Sequence, residues 1–298
     1  MPGTAAVPAG RPLMLGIFPR ALVCGSSRAL VVVAMFVLCG AAAANDQVPT
    51  ALISIIIDDL GNNLQQGRRA IHLPGPVGCA ILPHTPFSTL LAREAYENRK
   101  QVILHLPMQS ADGTEPGPGS LQLNMGPSEI STMLDGDLRT VPYAIGVSNH
   151  MGSLLTQRPE PMRWLMQALA DRGNLFFIDS RTTADTVAAK TATELGIPNL
   201  ERNVFLDDDK NIDVITQQFE RLIALARERG GALALGHPYP ETLAVLEHRL
   251  PELQGSSVLL VAPSVLLEHI KTSPRQPSVL RAHEEGTSEP QTSGQRVR

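Results

Sequence analysis

Aromatic residues are scarce in this sequence: 4% of 298 positions, with Trp at 1, Tyr at 3 and Phe at 7. That excludes a broad aromatic platform for carbohydrate, although a compact sugar pocket needs few rings. Positive charge is not in excess either. The formal net charge is −4, so the basic footprint of a nucleic-acid-binding protein is missing and nucleic acid is not an expected partner. Cysteine is sparse. Cys24 and Cys39 fall in the N-terminal segment, which leaves Cys79 alone in the rest of the chain. No intrachain disulfide can form there, so stability must come from the core. A hydrophobic share of 43% is enough for one, and Cys79, in VGCAIL, reads as a small buried hydrophobe. No repeat of fixed period is present, and no glycine-rich phosphate loop.

What is present begins with a leader. Arg20 and Arg28 precede the apolar run ALVVVAMFVLCGAAAA at 29–44, with Ala42 and Ala44 at the positions a signal peptidase reads. The run is shorter than the roughly 20 residues of a spanning helix, so cleavage after Ala44 is expected over an uncleaved anchor. Either outcome exports the domain, to the periplasm or an equivalent compartment. A lipoprotein fits less well, since Leu38 stands before Cys39 where a small residue is required. Residues 45–51 read as a linker.

From residue 52 to about 271, strand-like and helix-like segments alternate. LISIIID (52–58) is a continuous apolar run, as for a strand buried on both faces. Further strands are expected at 77–82, 101–106, 143–148, 174–179, 203–206, 231–237 and 257–262. Helices are expected at 62–73, 87–99, 128–138 with Ser128 as N-cap, 159–172, 184–195, 212–229 and 241–250. A loop rich in Gly and Pro, ADGTEPGPGS, covers 111–120. Such alternation implies a parallel sheet with helices outside it. The number of units suits a closed or nearly closed barrel, with an open doubly wound sheet as the alternative. Residues 272–298 lack apolar periodicity and read as a disordered tail.

In parallel α/β folds, sites form where strands hand over to loops at their C-terminal ends. The polar residues collect there. Asp58-Asp59 ends the first strand, His84 follows the second and His105 ends the third. Asn149-His150, Asp179-Ser180-Arg181, Asp207-Asp208-Asp209 and His237 end later ones. A carboxylate with two imidazoles is a ligand set for Zn²⁺ or a similar divalent ion. A cation would offset the repulsion between Asp58 and Asp59. Alternation along a strand points the two acids to opposite sides, so one can bind metal while the other does a different job. The competing reading makes one of them a helix cap near Gly61.

In order along the chain, IIIDDLG, ILPHTPFS, VILHLPMQ, GVSNHMGS, FFIDSRTT, FLDDD and GHPYPET resemble the divergent polysaccharide deacetylase family, a bacterial envelope group related to NodB-type carbohydrate esterases. The resemblance covers about 52–265 and implies a distorted (β/α) barrel of about seven units. It implies a metal-dependent hydrolase that removes N- or O-acetyl groups from an envelope polysaccharide. Asp59, His105 and His150 would hold a divalent metal such as zinc. Asp58 would be the general base and His237 the general acid, with Asp179 either orienting His237 or another histidine of the site, or capping the helix that begins near Thr183. His84, Asn149 and Arg181 would contact substrate. The acidic run 207–209 reads as a solvated loop.

The chain also departs from the ordinary members of the wider esterase group. Leu60 is inserted before the glycine of their Asp-Asp-Gly, and Gln109 stands where His105 would have its paired histidine. His237 is displaced by one in LALGH, and an Arg-x-Pro-Tyr motif is missing. The alternative reading is a non-catalytic periplasmic protein that keeps the barrel to bind glycan or an envelope protein partner. Hydrolysis of a phosphoester is a third reading.

Overall fold

The computed structural model describes residues 51–272. The expected leader, its cleavage point, nearly all of the linker and the tail beyond Thr272 lie outside the described residues. Ala51, expected in the linker, is the first residue of a strand.

That strand, β1 (Ala51–Leu60), runs up the middle of the sheet. It is followed by β2 (Gly78–Ile81), β3 (Val102–Met108), β4 (Ala144–Met151), β5 (Phe176–Asp179), β6 (Asn199–Glu201), β7 (Val204–Phe205), β8 (Gly231–Gly236) and β9 (Val258–Leu260). The ladders between them are parallel. The spatial order is β6-β5-β4-β3-β2-β1-β8-β7, with β9 against the first residues of β1. The two edges of this order are neighbours in the chain. Between β6 and β7 stand Arg202, whose N–H bonds the Asp179 carbonyl on β5, and Asn203, whose N–H bonds the Leu233 carbonyl on β8. One extended stretch thus serves both edges, and the sheet curls into a half-open barrel. Among the described residues no ladder joins β6 to β7.

The apolar run of β1 is explained by its two buried faces. Ile53, Ile55 and Ile57 pack outward among Ile71, Leu91 and Phe219, which the surrounding helices carry. Ile56 points inward with Ala80, Ile103, Ile178 and Leu235. Alternation is the physical cause: successive side chains of a strand go to opposite faces.

The outer helices are α1 (Leu64–Ile71), α2 (Ser88–Glu97), α3 (Pro127–Thr140), α4 (Pro159–Arg172), α5 (Ala188–Glu194), α6 (Ile212–Arg229) and α7 (Pro240–Glu252). The bounds of α4 and α6 are those expected, because Pro159 opens one and Gly230, at φ 81, closes the other. Ser128 is not the N-cap of α3. Gly126 is, with Pro127 next, and the Glu129 carboxylate reaches back to accept the Gly126 N–H at 2.8 Å. A last helix, α8 (Pro263–Thr272), was not expected. It brings Leu266 and Leu267 into the inner cluster. A Cβ on Gly78 or Gly231, which begin β2 and β8, would meet Pro263 or Leu266. So α8 plugs the end of the barrel opposite the strand C-termini.

Gly61 shows why the extra leucine of DDLG must be followed by glycine. Its φ is +130, and a Cβ there would lie 2.1 Å from the Thr85 Oγ1. Its carbonyl accepts the Phe87 N–H at 3.0 Å, which draws the β2–α2 loop against the end of β1. Gly61→Ala is expected to destabilise the fold by roughly 1–3 kcal/mol, from backbone strain and the lost approach. Urea unfolding of the two proteins measures it.

Candidate metal centre and cleft

Both acids at the end of β1 face the same site, against the alternation expected for successive strand residues. The register of β1 with β2 slips between Ile57 and Leu60, and Asp59 takes φ 58. Asp is among the few residues that tolerate this left-handed conformation. The twist swings its carboxylate to the inner side, where Asp58 already points. Asp59 Oδ1 lies 3.2 Å from His105 Nε2 and 2.9 Å from His150 Nδ1. Ligand atoms of Asp59, His105 and His150 all fall within 4.8 Å of one another.

Register explains why the two histidines meet. His105 stands beside Ser148, and Pro107 beside His150, in the β3–β4 ladder. Paired residues of parallel strands share a face, so His150 sits one inward step above Ser148. His105 Nδ1 is 2.7 Å from the Ser148 Oγ, which leaves Nε2 for Asp59. Gln109, where a paired histidine would stand, accepts the Leu123 N–H through its side chain and takes no part.

The donor set fits a divalent cation. One carboxylate oxygen and two imidazole nitrogens suit Zn²⁺ or a similar ion, with positions left open. Asp59 Oδ1 is buried and makes no hydrogen bond among the described residues, although two ring nitrogens lie close. Neither ring nitrogen meets this oxygen with N–H···O geometry, so the oxygen is left open to a cation. Burial pushes the Asp59 carboxyl up, but the His105 and His150 rings outweigh it and hold it well below the usual carboxylate range.

Asp58 is buried, 3.9 Å from His105 Nδ1, and its Oδ1 is likewise unpartnered. Burial raises its carboxyl above the ordinary value, opposed by the nearby His105 and His237. His237 follows β8, on the other side of β1, with Nε2 3.7 Å from Asp59 Oδ2.

The residue that orients His237 is Asp207, not Asp179. Asp207 is buried, so the acidic run is not a solvated loop at its first position. One oxygen lies 3.0 Å from His237 Nδ1, and the other accepts the His237 N–H and the Thr242 hydroxyl. Burial pushes the imidazolium down. The Asp207 bond and charge, with Asp59 and Asp58 behind, prevail and place its pKa at about 9. The pKa of this ring is raised from 6.5, so its contribution to stability is fully present below pH 6.5 and is lost as pH rises through about 9. Asp207→Asn is expected to return the His237 pKa toward its ordinary value and to remove that pH-dependent stability. An NMR titration of the His237 ring in metal-free protein tests it; an unchanged pKa contradicts the assignment.

Asp179 is engaged elsewhere. Its carboxylate accepts the Arg181 N–H, the Thr186 hydroxyl and the Ala189 N–H. It therefore folds the stretch after β5 and caps α5, which begins at Ala188 and not at 184. Asn149 is buried, with its amide oxygen on the Ser180 N–H and its amide nitrogen on the Met151 carbonyl. Arg181, at φ 49, turns to Glu201 at 2.5 Å. Both were expected to contact substrate, and both have structural partners instead.

Of the three substrate-binding expectations, only His84 lines the cleft. That cleft, about 450 Å³, extends from Asp59 and His150 to His84 under the loop at 115–118. Three functional neighbours escaped sequence reading. Asp207 had a signal in the acidic strand end FLDDD, and Ser148 in its spacing two residues before His150. Arg202 had none: it is a half-buried guanidinium whose pKa is lowered by burial and by Arg181, with Asp179, Asp208 and Asp58 opposing, and it stacks on the Phe205 ring at 4.9 Å.

A curled parallel barrel with a carboxylate and two imidazoles gathered at its rim defines a class of α/β proteins with a candidate metal site. The profile of the divergent polysaccharide deacetylases matches residues 55–267, and the chain belongs to that family. It is 36% identical over 228 residues to an uncharacterized protein of Haemophilus influenzae, covering 76% of this chain and 81% of that one. It is 36% identical over 216 residues to the uncharacterized protein YibQ of Escherichia coli, covering 72% and 67%. Among solved structures, the uncharacterized protein ATU2773 of Agrobacterium tumefaciens superposes with a TM-score of 0.70 at 21% identity. That match covers 73% of this chain and 89% of the other and shows a shared fold.

Proposed function

We infer that the protein is a metal-dependent deacetylase acting on an N- or O-acetylated polysaccharide of the cell envelope. The observation that carries this reading is the convergence of Asp59, His105 and His150 within 4.8 Å, with a buried acid on one side and a histidine held by Asp207 on the other. The leader pattern supports export to the periplasm, where such a polysaccharide is found.

Asp59, His105 and His150 would hold the divalent metal, with zinc favoured by the mixed oxygen and nitrogen donors. When bound, such an ion polarises a carbonyl and lowers the pKa of water. The chain's own residues supply the proton chemistry. Asp58, raised by burial, accepts a proton from the attacking water as general base. His237, at about 9, is protonated at neutral pH and donates to the departing amine or alcohol. Asp207 keeps the other ring nitrogen occupied, so the proton that leaves comes from Nε2, the atom nearest Asp59. Ser148 does the same for His105.

Zinc-loaded full-length protein is expected to release acetate from N-acetylated or O-acetylated envelope glycan. An enzymatic acetate assay measures it. Binding of the glycan with no acetate released would favour the non-catalytic reading.

A further inference from the structure

Two aromatic rings and two cations gather around His237, and the proton chemistry above uses none of them. Phe205, on β7, meets the imidazole edge to face, with ring centroids 5.2 Å apart at 72°. Tyr239 lies at the same centroid distance, 5.2 Å, and is tilted by 41°. The sheet explains the first contact. Phe205 pairs with Leu235 on β8, and His237 emerges two residues later on the same face. Aromatic residues are 4% of the sequence, so two rings against one histidine are a concentrated use of a scarce residue type.

Each ring carries a cation in turn. The Arg202 guanidinium, 4.9 Å from the Phe205 centroid, also donates to the Ser180 and Arg181 carbonyls at 2.6 and 2.8 Å. Those bonds keep it from swinging away. The Lys210 ammonium lies 3.7 Å from the Tyr239 centroid. Lys210 follows Asp208 and Asp209, yet it pairs with no carboxylate among the described residues; Asp209 accepts the Asn211 N–H instead. An exposed lysine gives up rotamer freedom to stay over a ring, and the attraction of its charge for the ring face offsets that loss. Tyr239 has no second task. It stands at the N-cap of α7 without a side-chain cap bond, and its hydroxyl makes no hydrogen bond among the described residues. The ring itself is what this position contributes.

The bond from His237 Nδ1 to Asp207 fixes one atom of the imidazole and leaves the ring able to pivot about it. A proton donor has to be aligned with the departing atom, and a misplacement of about 1 Å can cost about 10²-fold in rate. Rings packed on the imidazole remove the pivot. We propose that Tyr239, held by Lys210, is a positioning residue for His237, and that with Phe205 and Arg202 it completes a cage that keeps Nε2 aimed at the atom it protonates. The catalytic consequence rests on the deacetylase reading above. The aim of the ring is a property of the fold and is measurable without it.

The test pairs steady-state acetate release by zinc-loaded full-length proteins with the order parameter of the His237 ring, from carbon-13 relaxation of the metal-free proteins. Tyr239→Leu is expected to lower kcat by about 10- to 10²-fold at unchanged KM and zinc content, and to lower the order parameter. Tyr239→Phe, which keeps the ring and drops a hydroxyl without a partner, is expected to restore both. Lys210→Met is expected to lower kcat about two- to fivefold, the factor that an exposed cation–ring contact supplies. Should Tyr239→Leu fail to fold, the exposed Lys210 decides: wild-type kcat and wild-type ring order in Lys210→Met overturn the proposal. So does a Tyr239→Leu protein with wild-type values, or a Tyr239→Phe protein as impaired as Tyr239→Leu. A wild type that releases no acetate overturns the deacetylase reading, and ring order then decides alone. Order lost in Tyr239→Leu and kept in Tyr239→Phe upholds the positioning role; order unchanged in both overturns it.

Discussion

Asp58→Asn is expected to lower acetate release by about 10²- to 10⁴-fold, the usual contribution of a general base, while the protein still retains zinc. The expectation follows from position. Asp58 Oδ1 is buried without a hydrogen-bond partner, 3.9 Å from the Nδ1 of His105, and it is not among the three residues whose donor atoms converge. Its amide replacement keeps the shape and removes the basic lone pair. Removing one of two neighbouring buried charges also relieves repulsion with Asp59. The metal-free fold should therefore be no less stable, which separates lost catalysis from lost structure. Steady-state kinetics with metal analysis on the same samples reads both. Loss of zinc together with activity would move Asp58 into the ligand set and sink the division of roles. Full activity would remove it from the chemistry.

Zinc is expected to raise the melting temperature of wild type by about 5–11 °C at a hundredfold excess over its dissociation constant. Preferential binding to the folded state at that excess contributes about 2.7 kcal/mol, and each kcal/mol shifts a domain of this size by about 2–4 °C. Chelator should reverse the shift. Asp59→Asn, His105→Ala and His150→Ala should each abolish it, since each removes one of three donors within 4.8 Å. In Asp59→Asn the metal-free melt should fall at neutral pH, because the carboxylate that the His105 and His150 rings hold ionised is gone. Thermal melts of all four proteins, with chelator and with Zn²⁺, make the comparison. An identical wild-type melt in both conditions, with no metal retained on purification, defeats the cation reading. The unpartnered oxygens of Asp58 and Asp59 would then need another occupant.

The fold was largely legible before any coordinates. Buried parallel strands advertise themselves as unbroken apolar runs, as in LISIIID, and Pro159 and Gly230 mark helix ends by their backbone chemistry. The short β6 was not legible. Three residues, Asn199–Glu201, are too few for a period, and only the neighbouring β5 makes them a strand. The helix α8 was missed for a related reason: its apolar residues serve the inner core beneath the barrel, a destination no local pattern states.

The site was legible in its residue types and not in its partnerships. The order of strands placed Asp59, His105 and His150 at one rim, because every strand of a parallel sheet ends on the same side. Which acid serves which histidine depends on a few degrees of backbone and on burial. Asp179 and Asp207 both follow strands and look alike in sequence. Asp179 is consumed by the N–H groups of α5, whereas Asp207 stands against His237. Asn149 and Arg181 were likewise drawn off by nearer partners.

The sequence by itself determined the parallel barrel and the rim at which its polar residues gather, while the three donors were singled out from that rim by the family resemblance. Strand periodicity and chain order are local properties that survive without coordinates. Only the tertiary structure decided that Asp58 and Asp59 face the same site, since that needs the φ of 58 at Asp59 and the slipped register beside it. It alone decided that Asp207 serves His237 and that Asp137 stands behind His84. Each of those pairings joins residues 30 or 53 positions apart, and the balance of burial against charge that makes them exists only once the chain has closed around them.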